Sequence, residues 1–449
     1  MKFYSTNGNA PAASLEEAVV RGLAPDRGLY VPESIARLTP ETLADLPHAA
    51  FHEIAAAVAF NVFGGDIPVR ELAQLVKEAY DCPDPFTGSP MVALKPVTDR
   101  IYALELFHGP TLAFKDVGAR FMARLLGYFI RKQGRGECVN VLVATSGDTG
   151  SAVANGFLGV EGIRVHVLYP KGKVSEIQEK QFTTLGQNIV ALEIDGTFDD
   201  CQALVKEAFM DEALNRRLQL TSANSINVAR FLPQMFYYFD AWARLTDALP
   251  AADLRGQQVV FSVPSGNLGN LTAGLYAKGM GLPATRFIAA NNRNDVFFQY
   301  LRTGIYAPRP SEATIANAMD VGDPSNFARI LDLYDNSHEK ICGDISGATF
   351  TDAQIAETIR STWQQHHYLL DPHGACAYQA LVDGMRPGET GIFLATAHPA
   401  KFKETVEQII GAPVAIPDKL REFMAGTRQC VPLSHRFDDF KDYLLRTCC

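Results

Sequence analysis

The sequence predicts an α/β protein whose main sheets are largely parallel, with a mostly helical region in front of them. From about residue 100, short apolar runs alternate with helical segments, which is the pattern that βαβ units produce. The apolar runs are continuous, as expected for strands that a parallel sheet buries on both faces. The chain has 449 residues, of which 47% are hydrophobic, so it is long and apolar enough for several domains with large cores.

Helix signals dominate the N-terminal region. Residues 14–17 (SLEE) match a capping box, in which two side chains satisfy backbone N–H groups of the first turn. Thr39 is a candidate N-cap and is followed by Pro40 at the first helical position. The alanine-rich residues 52–63 predict a buried helix, and a proline-rich breaker at 81–85 ends the region.

The rest of the chain alternates strands and helices. Apolar runs predict strands over 139–144, 164–169, 188–194, 259–263, 287–290 and 391–395. Helices are predicted from Ser151 and over 175–185, 199–218 and 228–245. Residues 302–347 are rich in Pro, Asn, Asp and Gly, which predicts surface loops.

Charge and apolar patterning exclude several partners. The 41 Lys and Arg residues stand against 50 Asp and Glu residues, a formal charge of −9, and no basic run stands out. Nucleic acid and membrane surfaces are therefore not expected partners, although a local pocket can still bind a small anion. There is no apolar run of about 18 residues and no secretory signal pattern. With eight cysteines and no CxxC spacing, we expect a cytoplasmic protein.

Two polar turns follow predicted strands, where open α/β sheets bind their ligands. Residues 265–270 (SGNLGN) present backbone N–H groups beside the positive end of a helix, an arrangement that binds phosphate. The alternative is a tight turn without a ligand. Residues 145–150 (TSGDTG) offer hydroxyl and N–H groups suited to a carboxylate, or they simply cap a helix. Neither turn is a Walker A loop or a dinucleotide fingerprint.

Lys115 is a candidate covalent catalyst. It directly follows the apolar residues 112–114. In apolar surroundings an amine is poorly solvated, so its pKa falls from about 10.4 and its lone pair becomes available for a Schiff base. The alternative is a side chain that extends past its apolar neighbours into solvent.

Together these motifs resemble the β-family (fold type II) of pyridoxal 5′-phosphate enzymes, and within it the threonine synthase family. The resemblance runs from the N-terminus to about residue 410. The matching segments are YSTNG at 4–8, GLAPDRGLYVP at 22–32, FHGPTLAFKD at 107–116, TSGDTG at 145–150, NSINVAR at 224–230, PSGNLGN at 264–270 and ATAHPAKF at 395–402.

The resemblance implies two open, twisted, mainly parallel α/β domains with an N-terminal, mostly helical extension. The extension is expected over 1–95. A large cofactor-binding domain is expected over 96–130 and 225–449, and a small domain over 131–224.

The resemblance also implies roles for individual residues. Lys115 binds the cofactor covalently, and the cofactor phosphate is held by Gly266, Asn267, Leu268, Gly269 and Asn270. The substrate α-carboxylate is bound by Thr145, Ser146, Gly147 and Thr149. Asp148 flanks the cofactor's 3′ oxygen, where many relatives carry Asn; an ionised carboxylate has no proton to donate there.

Two further roles have alternatives. Thr396 is expected against the pyridine nitrogen, unless it only ends a strand and caps the next helix. The substrate phosphate is expected on Asn224, Ser225 and Arg230, unless Arg230 lies on the solvent face of the predicted 228–245 helix.

The implied activity is a pyridoxal-phosphate-dependent carbon–oxygen lyase reaction. It converts O-phospho-L-homoserine and water to L-threonine and phosphate, the last step of threonine biosynthesis, in a monomer or homodimer. One alternative is another lyase of the cofactor family, such as a serine/threonine dehydratase or a cysteine synthase, and residues 4–8 and 22–32 argue against it. A catalytically inactive, phospho-ligand-binding homologue is the other, and Lys115 argues against that one.

Other candidate residues have simpler explanations. His108 lies near the implied site or is a core histidine. His366, His367 and His373 suggest zinc, but no Cys or carboxylate stands at zinc spacing, so no metal is expected. The aromatic run 236–239 is typical of core packing.

Overall fold

The computed structural model describes residues 1–81, 90–134, 138–248 and 258–448. The strands are β1 (Lys2–Ser5), β2 (Ala13–Ser14), β3 (Tyr30–Pro32), β4 (Ala93–Pro96), β5 (Ile101–Glu105), β6 (Val139–Ala144), β7 (Ile163–Pro170), β8 (Ile189–Asp195), β9 (Gln219–Ser222), β10 (Gln258–Pro264), β11 (Arg286–Asn291), β12 (Ile345–Thr349), β13 (Glu389–Ala395) and β14 (Val431–Ser434). The predicted breaker lies, beyond Asp81, outside the described residues.

The helices alternate with these strands over most of the chain. They are α1 (Leu15–Arg21), α2 (Pro40–Asp45), α3 (Phe51–Phe63), α4 (Val69–Tyr80), α5 (Lys115–Gln133), α6 (Asp148–Phe157), α7 (Glu176–Thr183), α8 (Phe198–Met210), α9 (Glu212–Arg217), α10 (Val228–Phe231), α11 (Met235–Ala248), α12 (Gly269–Gly279), α13 (Val296–Thr303), α14 (Phe327–Leu333), α15 (His338–Asp344), α16 (Asp352–His366), α17 (Pro372–Gly384), α18 (Lys403–Ile410), α19 (Asp418–Ala425) and α20 (Phe437–Thr447). The capping box before α1 and the Thr39 cap before α2 are confirmed.

Two parallel sheets form the framework of the described chain. The six-stranded sheet has the order β12-β11-β10-β13-β5-β4, and β4 alone runs antiparallel to its neighbour. The five-stranded sheet has the order β14-β8-β7-β6-β9 and is parallel throughout. A small sheet of order β2-β1-β3 belongs, like α1–α4, to the N-terminal region of the sequence. The predicted parallel α/β architecture is confirmed.

Contacts divide the chain into two units. The first contains residues 32–114 and 231–415, with Met1; the second contains 2–31, 115–230 and the chain from Ile416 onward. This division differs from the expected domain limits, which placed 96–130 in one domain. Helix α5 belongs to the second unit because it packs closely there: a Cβ on Gly156 of α6 would lie 3.1 Å from the Ala119 carbonyl oxygen of α5.

The core of the first unit lies on both faces of the six-stranded sheet. Strands β10, β11 and β13 are almost entirely buried, as continuous apolar runs predict. The rings of Phe261 and Phe287 stack at 5.9 Å, and Tyr238 lies edge-on to Phe261 at 5.1 Å. All four side chains of 236–239 are buried, so the core-packing interpretation is confirmed.

The core of the second unit lies between the five-stranded sheet and the helices that cover it. Leu142, Leu168 and Leu192 from three neighbouring strands pack in one cluster with Leu204 of α8. Phe440 of the C-terminal helix α20 completes this cluster and is fully buried. The end of the described chain is therefore part of the core of this unit.

Two predicted helices are interrupted. The single helix predicted over 199–218 is wrong, because Asp211 is extended and its side chain accepts the Leu214 N–H as the cap of a new helix, α9. The helix predicted over 228–245 is also broken, by a 3₁₀ turn that contains Pro233, which has no N–H to donate. Helices α14 and α15 lie in the segment for which only loops were predicted.

We predict that Glu389→Gln lowers the free energy of unfolding by about 3 kcal/mol, because it leaves the buried Arg286 guanidinium without its bidentate partner. Arg286 donates to the two Glu389 carboxylate oxygens at 2.8 and 2.7 Å. Urea denaturation measures the loss. The matched change Glu357→Gln removes an exposed pair with Arg360 and is expected to cost less than about 1 kcal/mol.

The ion pair between Arg286 and Glu389 also predicts how the free energy of unfolding depends on pH. The Arg286 hydrogen bonds hold the pKa of the Glu389 carboxyl below its usual range. Its stabilisation is therefore present above the unfolded pKa of about 4.3 and is lost as pH falls through the lower, folded pKa. In the Glu389→Gln variant, the free energy of unfolding is expected to fall less steeply as the pH is lowered. If the variant and the wild type lose stability equally at low pH, the assignment is contradicted.

Candidate active site

The chain just before Lys115 is held against the segment that follows β13. The Phe114 N–H donates to the Thr396 carbonyl oxygen at 2.9 Å, and the His398 N–H donates to the Leu112 carbonyl oxygen at 3.1 Å. This antiparallel pairing fixes the backbone up to Phe114. Lys115 is the next residue and the first of α5.

A buried lysine supports the same segment. Lys401 is 1% exposed, and its Nζ donates to the Thr111 carbonyl oxygen at 2.8 Å. Leu112 takes a left-handed conformation with φ of 54°, which is uncommon outside glycine. The left-handed conformation of Leu112 and the hydrogen bond from Lys401 both help to fix the backbone of the segment that leads to Lys115. Lys401 lies in the matching segment at 395–402, but the sequence pattern does not indicate this role.

Thr396 lies directly after β13 and is buried. Its carbonyl oxygen accepts from Phe114, and no described residue forms a hydrogen bond with its hydroxyl group. The His398 side chain, rather than Thr396, caps the following turn by accepting from the Ala400 N–H at 3.1 Å. The capping alternative for Thr396 is therefore wrong.

The glycine-rich turn after β10 has its carbonyl oxygens tied into the protein. Five carbonyl oxygens between residues 263 and 268 each accept a hydrogen bond from a side chain. The pairs are Ser265 Oγ to Val263, Asn270 Nδ2 to Pro264, Asn291 Nδ2 to Ser265, Asn326 Nδ2 to Asn267 and Thr272 Oγ1 to Leu268, at 2.7–3.0 Å. The peptide groups of the turn are therefore held in one orientation.

Three N–H groups of this turn, unlike its carbonyl oxygens, are not paired with the described part of the protein. Among the described residues, none accepts from the N–H groups of Gly266, Leu268 or Gly269. They lie at the positive end of α12, which begins at Gly269, and such N–H groups bind anions. A Cβ on Gly266 would lie 2.8 Å from the Met319 Cα, so only glycine fits there. The donor set suits a phosphate group, as the sequence predicts.

In the second unit, Thr145 organises the turn after β6. Its Oγ1 accepts from the N–H groups of Gly147 and Gly150 at 2.9 and 2.8 Å. Gly147 has a φ of 143°, and a Cβ there would lie 2.6 Å from the Gln178 side chain. Thr145 thus has the capping role that the sequence left open, and it shapes the turn that was predicted to hold a carboxylate.

Asp148 is buried at the start of α6 and accepts a hydrogen bond. Gln178 Nε2 donates to Asp148 Oδ1 at 2.9 Å, and the Gln178 Oε1 accepts from the Ser175 hydroxyl at 2.9 Å. The amide is therefore oriented with its donor toward the carboxylate. Sequence reasoning missed Gln178, which lies 30 residues from Asp148 and in no motif.

Arg230 is only 4% exposed, so the solvent-face alternative is wrong. Its Nε donates to the Ala223 carbonyl oxygen at 2.7 Å, and its Nη1 donates to the Lys115 carbonyl oxygen at 2.9 Å. Asn224 lies beside the end of β6, where its Nδ2 approaches the Ala144 carbonyl oxygen at 3.4 Å. The second unit therefore brings together the starts of α5 and α6 and the predicted phosphate-binding residues.

Two of the candidate histidines, His108 and His373, have hydrogen-bond partners in the protein. His108 Nε2 lies 2.8 Å from Glu105 Oε2. His373 is buried, with Nδ1 at 2.6 Å from Asp371 Oδ2 and Nε2 accepting from the Ala318 N–H at 3.1 Å. Both ring nitrogens of His373 are engaged, so this residue does not suit the zinc alternative. Within the described ranges, no group of three or more His, Cys, Asp or Glu side chains is arranged to hold a metal ion.

Comparisons with known proteins give the same classification from one end of the chain to the other. The pyridoxal-phosphate dependent enzyme family matches residues 84–397. The threonine synthase N terminus and the threonine synthase C-terminal families match residues 2–80 and 373–444. The threonine synthase likeness therefore continues beyond residue 410, where the recognised motifs end.

Individual relatives cover the whole chain. Threonine synthase from Haemophilus influenzae is 43% identical over 447 residues, which cover 100% of both chains. The crystal structure of threonine synthase from Escherichia coli matches with a TM-score of 0.89 at 42% identity, over 99% of this chain and 100% of that one. The structure of pyridoxal-phosphate-bound threonine synthase from Brucella melitensis matches with a TM-score of 0.90 at 35% identity, over 99% of both chains.

The fold, the phosphate-type turn and the family match define the class: the chain belongs to the pyridoxal-phosphate dependent enzymes. Within that class it belongs to the threonine synthases, and it is a pyridoxal-phosphate-dependent lyase of threonine biosynthesis. The predicted fold type and cofactor are confirmed. No helix in the described part of the chain is both long and apolar enough to span a membrane.

We predict that Thr145→Val lowers the free energy of unfolding by about 2–4 kcal/mol, because two buried N–H groups lose their acceptor. The control is Thr221→Val on β9 of the same sheet. The Thr221 hydroxyl is buried and has no partner among the described residues, so its removal is expected to be neutral or stabilising. Chemical denaturation compares the two variants, and equal losses contradict the role given to Thr145.

Proposed function

We propose that this threonine synthase acts on O-phospho-L-homoserine, releasing phosphate from Cγ and adding water at Cβ to give L-threonine. Lys115 is the covalent cofactor lysine. The turn of Gly266, Asn267, Leu268, Gly269 and Asn270 binds the cofactor phosphate. Arg230, with Asn224 and Ser225, binds the substrate phosphate.

The hydrogen bond between the Arg230 guanidinium and the Lys115 carbonyl oxygen carries this proposal. It puts a buried cation, of the residue type that best binds phosphate, next to the predicted covalent lysine. A serine or threonine dehydratase acts on a substrate without phosphate, and that substrate would not pair with such a cation. A phosphorylated substrate accounts for it directly.

The cofactor, Lys115 and Thr396 have different roles in the proposed reaction. When bound, pyridoxal phosphate delocalises the charge that develops as protons leave the substrate carbons. The Lys115 amine would be the base that moves protons at Cα and then at Cβ of the substrate. The Thr396 hydroxyl would hold the pyridine nitrogen as a neutral group, which suits elimination and replacement rather than transamination.

The turn that Thr145 shapes binds the substrate carboxylate. Thr145, Ser146 and Thr149 supply hydroxyl groups, and Ser146 and Thr149 also supply N–H groups, at the start of α6, where the helix dipole favours an anion. Gly147 lines the same turn, with its own N–H donating to Thr145 Oγ1. Asp148, which accepts from Gln178, would flank the cofactor's 3′ oxygen. A cytoplasmic location and a monomeric or homodimeric state remain predictions.

The first test is Lys115→Ala. The full-length variant is expected to lose the visible absorbance of the covalently bound cofactor and phosphate release from O-phospho-L-homoserine, while its circular dichroism stays that of the wild type. The control Lys419→Ala removes an exposed lysine that pairs with Glu422, and it is expected to retain both signals. Turnover by the Lys115→Ala enzyme would contradict the assignment.

The second test is Arg230→Lys, which keeps the charge but loses the planar fork. The KM for O-phospho-L-homoserine is expected to rise about tenfold or more, and inhibition by inorganic phosphate to weaken, with cofactor absorbance retained. Arg216→Lys, at an exposed pair with Glu212, is the control. An unchanged KM with weakened cofactor binding would assign Arg230 to the cofactor instead.

A further inference from the structure

Asn267 in the glycine-rich turn is held by the chain around α14. Its carbonyl oxygen accepts from Asn326 Nδ2 at 3.0 Å, and its Oδ1 accepts from the Ser325 N–H at 2.6 Å. Asn326 is completely buried. The central peptide of the turn therefore depends on a side chain 59 residues further along the chain.

Asn326 is itself held by Arg329. Arg329 Nη1 donates to Asn326 Oδ1 at 2.7 Å. The guanidinium carbon lies 4.1 Å from the centre of the Phe231 ring, and the side chain is fully buried. Burial lowers the pKa of Arg329 to about 9, so the group remains protonated at neutral pH.

The chemistry of these groups fixes which way each one points. A guanidinium has only donors, so the Asn326 atom that faces it is the carbonyl oxygen. The amide NH₂ of Asn326 must then face Asn267, where it meets a carbonyl oxygen. That contact keeps the Asn267 carbonyl turned into the protein, so the Leu268 N–H of the same trans peptide points the opposite way. Arg329 thus determines, through Asn326, the direction in which the turn presents the Leu268 N–H.

We propose that Arg329 and Asn326 are positioning residues that give the turn its selectivity for a phosphate group. The inference rests on the proposed role of 266–270 in binding the cofactor phosphate. Neither residue is offered as a group that touches the cofactor. Their effect is confined to the phosphate end of the ligand, which distinguishes it from a general contribution to stability.

The test compares two ligands that differ only in that group, pyridoxal 5′-phosphate and pyridoxal. Binding of each to the full-length apoenzyme is followed by absorbance or fluorescence. Arg329→Met and Asn326→Asp are each expected to weaken pyridoxal 5′-phosphate binding about tenfold or more and to leave pyridoxal binding unchanged. A double variant of Arg329→Met with the uncharged Asn326→Leu is expected to be no worse than Asn326→Leu alone, because both residues act through one chain of hydrogen bonds.

Asn326→Asp keeps the experiment informative if Arg329→Met does not fold. It retains an oxygen for Arg329 and strengthens that contact with a charge, yet it removes the donor to Asn267. The control is Asn188→Asp, which removes an amide that donates to the Phe157 and Ile163 carbonyl oxygens in the second unit. The control is expected to leave the affinity ratio of the two ligands unchanged.

The outcomes separate the inference from the proposed function. If the wild type does not prefer pyridoxal 5′-phosphate to pyridoxal, the phosphate role of the turn fails, and the inference fails with it. If the wild type has the preference and the folded variants keep it, only the inference is overturned. Additive losses in the double variant also overturn it, because Arg329 and Asn326 then act separately.

Discussion

The pairing of the segment before Lys115 with the chain after β13 is the constraint on which the candidate site depends. Backbone hydrogen bonds join Phe114 to Thr396 and His398 to Leu112, and the buried Lys401 ammonium holds the carbonyl oxygen just upstream. The covalent role proposed for Lys115 needs a defined starting point for the side chain, since a lysine has many rotamers. The pairing supplies that point through the backbone, and Leu112 accepts an uncommon conformation to permit it.

Both polar turns solve the same problem in different ways. At the end of a parallel strand, the chain must present N–H donors without leaving carbonyl oxygens buried and unpaired. After β10, side chains pair with the carbonyl oxygens, and no described residue accepts from the N–H groups of Gly266, Leu268 and Gly269. After β6, Thr145 pairs with two N–H groups and so determines which donors remain at the start of α6. In each turn, hydrogen bonds from or to Ser, Thr or Asn side chains determine which backbone donors remain unpaired.

The sequence pattern correctly predicted the features that depend on neighbouring residues, namely the buried strands and the helix caps. The apolar strands from 139–144 to 391–395 and the caps at Ser14 and Thr39 depend on neighbours in the sequence, and they are found as predicted. Strand β5 was missed because its apolar run, 101–104, is short, and its pairing with β13 depends on residues far away in the sequence. Gln178, Asn326 and Arg329 were missed for a related reason. Each acts on a turn 30 residues or more away, so no local motif marks it.

The identity of the covalent lysine tests the account most directly. The full-length enzyme, loaded with pyridoxal phosphate, is reduced with borohydride and digested, and the modified peptide is sequenced by mass spectrometry. We predict that the pyridoxyl group is on Lys115. Its recovery on another lysine, and above all on the buried Lys401, would contradict the account, because the paired segment would then support a different residue from the one that reacts.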